Sequence, residues 1–504
     1  MLFRSMSDKT TVWVLGDQLN VRIGAMRAAT PRTHRVLMVE SALKCGGRPW
    51  HRQRLHFIVS SMRHFADELR SDGFEVDYVR ADTMTQGLAL HRAAHPGTRV
   101  VATEPNSLAA SALLARLGIE TEETNQFLTP RGEFAAWAAT RKSLKMEDFY
   151  RRQRTRLGYL MDGDQPAGGQ WNFDHENREP PPRDGSNPWG DPLSDPLDDI
   201  DRDVIASLPA NCTGADPVGW WSTTRTGAFR RLRHFVEHLL PVFGPHEDAM
   251  LAANWHLAHS MLSPYLNNGL LMPSDVCDAV QWAYDNGRIP IASAEGFVRQ
   301  IIGWREYVNG LYWMWMPGYL EKNELGAVRP LPRAFTDPSS TGMRCVSLCA
   351  GAVQERGWVH HIQRLMVLGN LALIAGVNPR AMNNWMWESF VDGAEWVMVP
   401  NVIGMSLHAD GGMMATKPYA SGGAYIDRMS DYCKGCAYDR KKRTGDDACP
   451  FTTLYWDFLL RHADRFVRNP RMGTQVRAAQ KLADIDAVRD RAADVLQMLD
   501  AGRL

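Results

Sequence analysis

Cysteine is scarce in this chain: eight residues in 504, too few for a disulfide scaffold. Long apolar runs are missing as well. No stretch reaches the roughly 20 residues that cross a bilayer, so no membrane association is expected. The start MLFRSMSDKTTVWVLGDQLN lacks the basic, apolar and small-residue regions of a secretory signal. These absences point to the cytoplasm, where ordinary thiols stay reduced and clustered ones suggest metal. An excess of either charge is lacking too, with 57 basic against 57 acidic side chains. That balance excludes a surface that is basic all over but leaves room for a local groove facing phosphates. No internal repeat or heptad array is present.

What the chain does have is apolar mass: 44% of its residues are hydrophobic and 17 are tryptophan, enough to fill large cores in two or three domains. Within residues 1–135, the β-rich runs TTVWVL (10–15), RVLMVE (35–40), FEVDYV (74–79) and TRVVAT (98–103) alternate with helical patterns. That alternation predicts an α/β domain with a parallel sheet covered by helices. In HFIVSSMRHFADELRSDG (56–73) the apolar positions Phe57, Ile58, Met62, Phe65 and Leu69 recur at helical spacing, with Gly73 as the stop. Loops at the carboxyl ends of such strands form the usual crevice for a flat ligand, and here they carry GDQL (16–19), Glu40 and Glu104. No GxGxxG follows the first strand, which argues against a dinucleotide there. Residues 136–218 read as a connector, rich in Pro, Gly, Asp and Asn from about 160 onward. From 219 to 504 helical periodicity dominates, so this part is expected to be a large all-helical domain.

The densest constellation of chemistry is SDYCKGCAYDRKKRTGDDACPF (430–451), in which Cys433-x2-Cys436 precedes Cys449-Pro450. Three thiolates there can converge on one metal centre, with Cys345 or Cys349 available as a fourth. Zinc and iron–sulfur clusters both use such thiolates, and the spacing alone does not separate them. Cys45, Cys212 and Cys277 are isolated and read as small buried hydrophobes. A second constellation joins HSMLSPYLNNGLL (259–271) to EGFVRQIIGWREYVNGLYW (295–313). Ser260 and Ser263, near a helix start, are placed to meet a phosphate, although Ser263-Pro264 is equally well a helix beginning. Phe297, Ile301, Trp304, Val308 and Leu311 make one apolar stripe. Arg299, Arg305 and Glu306 project polar groups near it, and one structural reading of the segment is core plus a solvated face.

These two segments resemble the flavin-binding domain of photolyases and cryptochromes, whose patterns run TS-x-LSPYL and then F-x-RE-x-x-WRE-[FY]; His259 replaces Thr and Gln300 stands where Glu is common. The cysteines narrow the likeness to the prokaryotic branch with a [4Fe-4S] cluster, the bacterial (6-4) photolyases. The resemblance implies FAD in the helical domain, contacted by His259, Ser260, Leu262, Ser263, Tyr265, Glu295, Gln300, Trp304, Arg305, Arg364, Asp392 and Asn401. It implies a 6,7-dimethyl-8-ribityllumazine antenna near Asp17, Gln18, Leu19, Glu40 and Glu104. It also selects Cys345 as the fourth cluster ligand beside Cys433, Cys436 and Cys449.

The segment WVHHIQRLMVLGN (358–370) matches the H-H-x-x-R run that (6-4) photolyases place between flavin and lesion. The implied catalytic pair is His360 and His361, with His361 the proton donor in a light-driven electron transfer to UV-damaged DNA. Trp385 is implied as the first electron relay to the flavin and Tyr419 as a stacking contact for an extruded base. Phosphate contacts are sought in three basic runs: Arg151, Arg152, Arg154 and Arg156; Arg225, Arg230, Arg231 and Arg233; Arg440, Lys441, Lys442 and Arg443. Two positions depart from the pattern. Met398 stands where an Asn or acid is expected near flavin N5, and Lys44 where an acid would meet the lumazine. The expected molecule is a monomeric (6-4) DNA photolyase. The alternative is a blue-light photoreceptor of the cryptochrome type, and the remaining reading is a zinc-stabilised helical binding protein without flavin.

Overall fold

The computed structural model describes residues 9–182 and 186–504; connector positions 183–185 lie outside the described residues. Five strands, β1 (Thr10–Trp13), β2 (His34–Ser41), β3 (Glu75–Ala81), β4 (Val100–Thr103) and β5 (Glu120–Glu122), form one sheet in the order β3-β2-β1-β4-β5. Every pairing in it is parallel. Val36, Leu37, Met38 and Val39 of β2 are all buried, as befits a parallel sheet with helices on both faces. The first four strands lie where the β-rich runs predict them. The sequence Glu-Thr-Glu of β5 is exposed throughout, so no alternation announces it.

The helix Arg52–Ser71 starts where the His51 ring accepts a hydrogen bond from the Gln53 N–H. It ends just before Gly73, whose φ of +86° suits a residue without Cβ. Its buried side chains include Gln53, His56, Ser60, Ser61 and Arg63 besides Phe57, Met62, Phe65 and Leu69 of the predicted apolar stripe, of which Ile58 is only partly buried. The helix is polar inside because it lies between the sheet and the rest of the chain: Gln53 Nε2 donates to the Asp216 carbonyl at 2.9 Å, and the His51 N–H to the Glu388 carbonyl at 2.9 Å.

From 219 onward the described residues are helical. The helices Ile291–Val298 and Glu306–Trp315 are joined by a wide-turn π segment, Arg299–Arg305. Gly310 allows the second helix to lie against Phe134, whose ring carbons would stand 2.2–2.5 Å from any added Cβ. The predicted stripe is buried at Phe297, Ile301, Val308 and Leu311. The expected solvated face is not solvated: Arg299, Arg305 and Glu306 are 7%, 8% and 1% exposed. They are paired instead, Arg299 with Asp174 and Glu295, Arg305 with Glu306, which periodicity alone could not reveal.

The connector is ordered where described. It contains the helix Met146–Leu157, which buries Phe149 and Tyr150, and the helix Asp199–Ala206, opened by an Asp198–Asp201 capping box. The sheet meets the helical part directly: the Leu19 N–H donates to the Asn268 carbonyl at 2.8 Å, and the Thr129 N–H to Glu306 Oε2 at 2.7 Å. Among the described residues no helix is long and apolar enough to cross a membrane.

Candidate active site and metal centre

Three histidines meet at the centre of the helical part, their ring nitrogens within 4.8 Å of one another. The rings of His259 and His360 are stacked, centroids 4.3 Å apart and planes 13° from parallel. His361 meets His259 edge-on at 5.4 Å. The backbone that presents His259 is strained on both sides, with Leu257 at φ +47° and Met261 at φ +53°. Non-glycine residues in that region cluster at functional sites. His360 is 1% exposed, and neither of its ring nitrogens has a partner, nor does His259 Nε2. Burial, reinforced by the neighbouring imidazoles, holds both pKa values well below the usual histidine range, so both rings are neutral. His361 is half-exposed, with Nε2 3.6 Å from Asp248 Oδ1. Burial lowers its pKa, but Asp248 and Glu247 outweigh that and hold it above the ordinary value. Of the three, only His361 is accessible and inclined to carry a proton.

Asp392 anchors the neighbouring wall. Arg364 donates to both of its oxygens, at 3.0 and 3.1 Å, and Ser263 Oγ donates at 2.6 Å. Arg364 lies on a π segment, Gln363–Gly369, and Asn401 on another, Pro400–Ser406; such turns recur at functional sites. Gln300 also sits on a π segment and donates to Glu247 Oε1 at 2.9 Å.

Other predicted contacts are committed to the fold. Tyr265 is fully buried, its hydroxyl accepting from the Ser222 N–H at 3.0 Å. Glu295 accepts from the Tyr150 hydroxyl and the Phe173 N–H at 2.7 and 2.9 Å. Ser260 Oγ accepts from the Leu262 N–H, and Leu262 is core. Arg305 lies over the Phe127 ring at 4.2 Å, Trp304 edge-on to Tyr307, and Asn401 donates to the Val397 carbonyl. Trp385, 7% exposed, stands between Phe335 and Phe390. Met398 is 4% exposed in the core. Glu247 and Asp248 escaped sequence reasoning because two acids in an irregular segment carry no pattern.

Cys345, Cys433, Cys436 and Cys449 line one small cavity. Gly435, at φ +78°, makes the turn that brings Cys436 back beside Cys433, and the Cys436 N–H donates to the Cys433 carbonyl at 3.2 Å. Gly423 leaves room for Cys449, whose Sγ would stand 2.9 Å from an added Cβ. No three of these sulfurs lie within 4.8 Å of one another. A single zinc ion with Zn–S bonds of about 2.3 Å draws its sulfurs closer than that, whereas a cubane cluster spaces them more widely. Cys349 does not line this cavity and lies beside Tyr432. The Tyr432 hydroxyl accepts from Gln363 Nε2 at 2.7 Å, and Gln363 Oε1 accepts from the His360 N–H at 3.1 Å. A buried chain thus runs from the histidines to the helix that carries Cys345.

At the sheet, Asp17 accepts from Asn106 Nδ2 at 3.2 Å, and burial raises its pKa. Gln18 Nε2 donates to the Glu104 carbonyl at 2.8 Å, and Leu19 is fully buried. Glu40 is engaged separately, taken by Arg63 at 2.9 and 3.0 Å and by the Tyr78 hydroxyl at 2.7 Å. The three basic runs are largely occupied at home: Arg151 by Glu147, Arg156 by Glu133, Arg225 by Glu68, Arg231 by Asp195, Arg440 by Asp427 and Arg443 by Asp484. Lys417 and Arg471 stand apart. Burial and the charges of Arg471 and Arg178 depress the Lys417 pKa, its ammonium lies 5.7 Å from the Tyr419 ring, and no carboxylate pairs with either cation among the described residues.

A five-stranded parallel domain joined to a helical domain with a buried polar centre defines a class of two-domain α/β-plus-helical proteins, and known proteins narrow it. Residues 12–215 match the family model described as deoxyribodipyrimidine photo-lyase-related protein. The chain is 41% identical to a (6-4) photolyase of Agrobacterium fabrum over 97% of its own length and 99% of that protein. It therefore belongs to the photolyase/cryptochrome family. The fold is shared with a class III photolyase from Agrobacterium tumefaciens, TM-score 0.59 at 15% identity over 99% of both chains. It is shared also with a cryptochrome from Synechocystis, TM-score 0.53 at 13% identity over 96% of this chain and 92% of that one.

Proposed function

We propose that this chain is a light-driven (6-4) DNA photolyase that uses FAD, a [4Fe-4S] cluster and a lumazine antenna, with His361 as the proton donor. The single observation that carries the reading is the histidine centre: two buried neutral imidazoles beside one accessible imidazole whose pKa Asp248 and Glu247 raise above the ordinary value. The polar atoms left without partners on His259 and His360 fit a ligand seated beside them. Gln300, Arg364, Asp392 and Asn401 would hold that ligand as FAD. When bound, reduced FAD would supply an electron to the lesion under blue light.

The residues supply the rest. His360 and His259, neutral, wall the cavity without competing for charge. His361 delivers a ring proton to the lesion as negative charge develops there, and Asp248, beside its Nε2, orients the ring and favours its cationic form. Tyr419 stacks on the extruded base, and Lys417 and Arg471, which no carboxylate pairs among the described residues, meet the phosphates beside it. Trp385 would pass electrons toward the flavin.

For the metal, the wide spacing of the four sulfurs favours the cluster over zinc. Cys345, Cys433, Cys436 and Cys449 would hold it, tying the helix Arg344–Arg356 to the loop before Pro450. The antenna belongs near Asp17, Gln18, Leu19 and Glu104, with Glu40 acting on it only through Arg63. The segments 1–135, 136–218 and 219–504 are the antenna domain, connector and catalytic domain, and the molecule works as a monomer in the cytoplasm. The absorption spectrum of purified protein tests the cofactor reading. Flavin and lumazine bands over a broad cluster shoulder are expected, with iron and sulfide in equal amounts, while a colourless protein containing zinc would overturn it.

A further inference from the structure

Two consecutive acids, Glu247 and Asp248, wrap the histidine cluster. Asp248 reaches His361, and the Glu247 carbonyl accepts a hydrogen bond from the His259 ring. The Glu247 side chain turns inward instead and is 6% exposed. Its Oε1 accepts from Gln300 Nε2 at 2.9 Å. Its other oxygen lies beside Gly296, in van der Waals range of where a Cβ would stand. The ionisable groups that face this carboxyl are His361, Arg299, Asp248 and Asp174, and its one close partner is a neutral amide. An enclosed carboxylate without a paired cation is costly, so burial pushes its pKa up to about 7.

We propose that Glu247 is a positioning residue for proton delivery: its carboxyl, held against Gln300 at the base of the histidine cluster, sets how firmly His361 keeps the proton it donates. The inference rests on His361 being the donor. No bond to carbon changes at Glu247. The proton leaves the His361 ring for the lesion, and the resulting neutral ring is recharged from solvent. As pH rises through neutrality Glu247 ionises, and its growing negative charge favours the imidazolium just when His361 would otherwise lose it.

The test uses the complete protein with its cofactors and isotope-labelled histidine, the His361 signal being assigned by comparison with His361→Asn. His361 titrates at lower pH in Glu247→Gln than in the unmodified protein, and Glu247→Asp restores most of the difference. Gln300→Leu, which withdraws the one hydrogen bond to the carboxyl and keeps it protonated to higher pH, moves His361 in the same direction as Glu247→Gln. Repair at pH 8 falls about three- to tenfold in Glu247→Gln while repair at pH 6 changes by less than about twofold. An unchanged His361 titration in both Glu247→Gln and Gln300→Leu overturns the proposal. A shifted titration with an unshifted repair profile leaves the coupling intact and removes His361 as the donor.

Discussion

His361 owes its proton to its neighbours. Its pKa lies above the ordinary histidine value because Asp248 and Glu247 outweigh burial, so the stabilisation from this pairing is complete below the unfolded pKa and is lost as pH rises through the folded one. Asp248→Asn removes a negative charge, and the alkaline loss of repair activity moves to lower pH; a pH–rate profile reads this directly. Arg364 and Asp392 make the other residue-scale prediction. Arg364→Ala strands a carboxylate that is 7% exposed, costing about 3 kcal/mol, visible as a lower urea midpoint, and Asp392→Asn in the same background recovers part of it. Much of this site was legible beforehand. His360, His361 and Arg364 lie in one motif with fixed spacing, and the structure pairs Arg364 with Asp392, which the resemblance implies as a flavin contact. Glu247 and Asp248 lie in no such motif, since their role arises from where the chain folds back. Tyr265 and Glu295 show the opposite, motif positions whose polar atoms are spent on Ser222, Tyr150 and Phe173.

At the scale of elements, the four main strands and the long helix follow from apolar spacing, because burial on a sheet or helix leaves a period in the sequence. The strand Glu120–Glu122 leaves none, being exposed on every residue. The π segments carrying Gln300, Arg364 and Asn401 were likewise invisible, since one extra residue per turn does not disturb an apolar stripe enough to read. The proposed metal centre depends on two glycines. Gly423→Ala drives a Cβ toward Cys449 Sγ and is expected to lower iron content and the visible cluster shoulder by at least half, on the order of a lost ligand's effect. A variant that keeps full iron would show that Cys449 has other room to move. The chain His360–Gln363–Tyr432–Cys349 gives the metal centre a physical route to the histidines.

Over the whole molecule, neutral net charge concealed how the cations are spent. The basic runs stand out in sequence, yet most of their charges are answered by Glu and Asp, some local and some brought from far along the chain, while Lys417 and Arg471 beside Tyr419 have no carboxylate partner among the described residues. Lys417→Ala and Arg471→Ala should each reduce the slope of log affinity for DNA against log salt by about 1, and Arg440→Ala by much less. Fluorescence anisotropy across a salt series measures all three.

The most direct measurement supplies the protein, its flavin reduced, with an oligonucleotide carrying one defined (6-4) photoproduct, and a second with a cyclobutane dimer, under blue light and in darkness. Light-dependent return of the (6-4) lesion to intact pyrimidines is predicted, with a rate reduced about a hundredfold or more by His361→Ala. Persistence of the (6-4) lesion in the light, or repair undiminished in His361→Ala, would contradict the account.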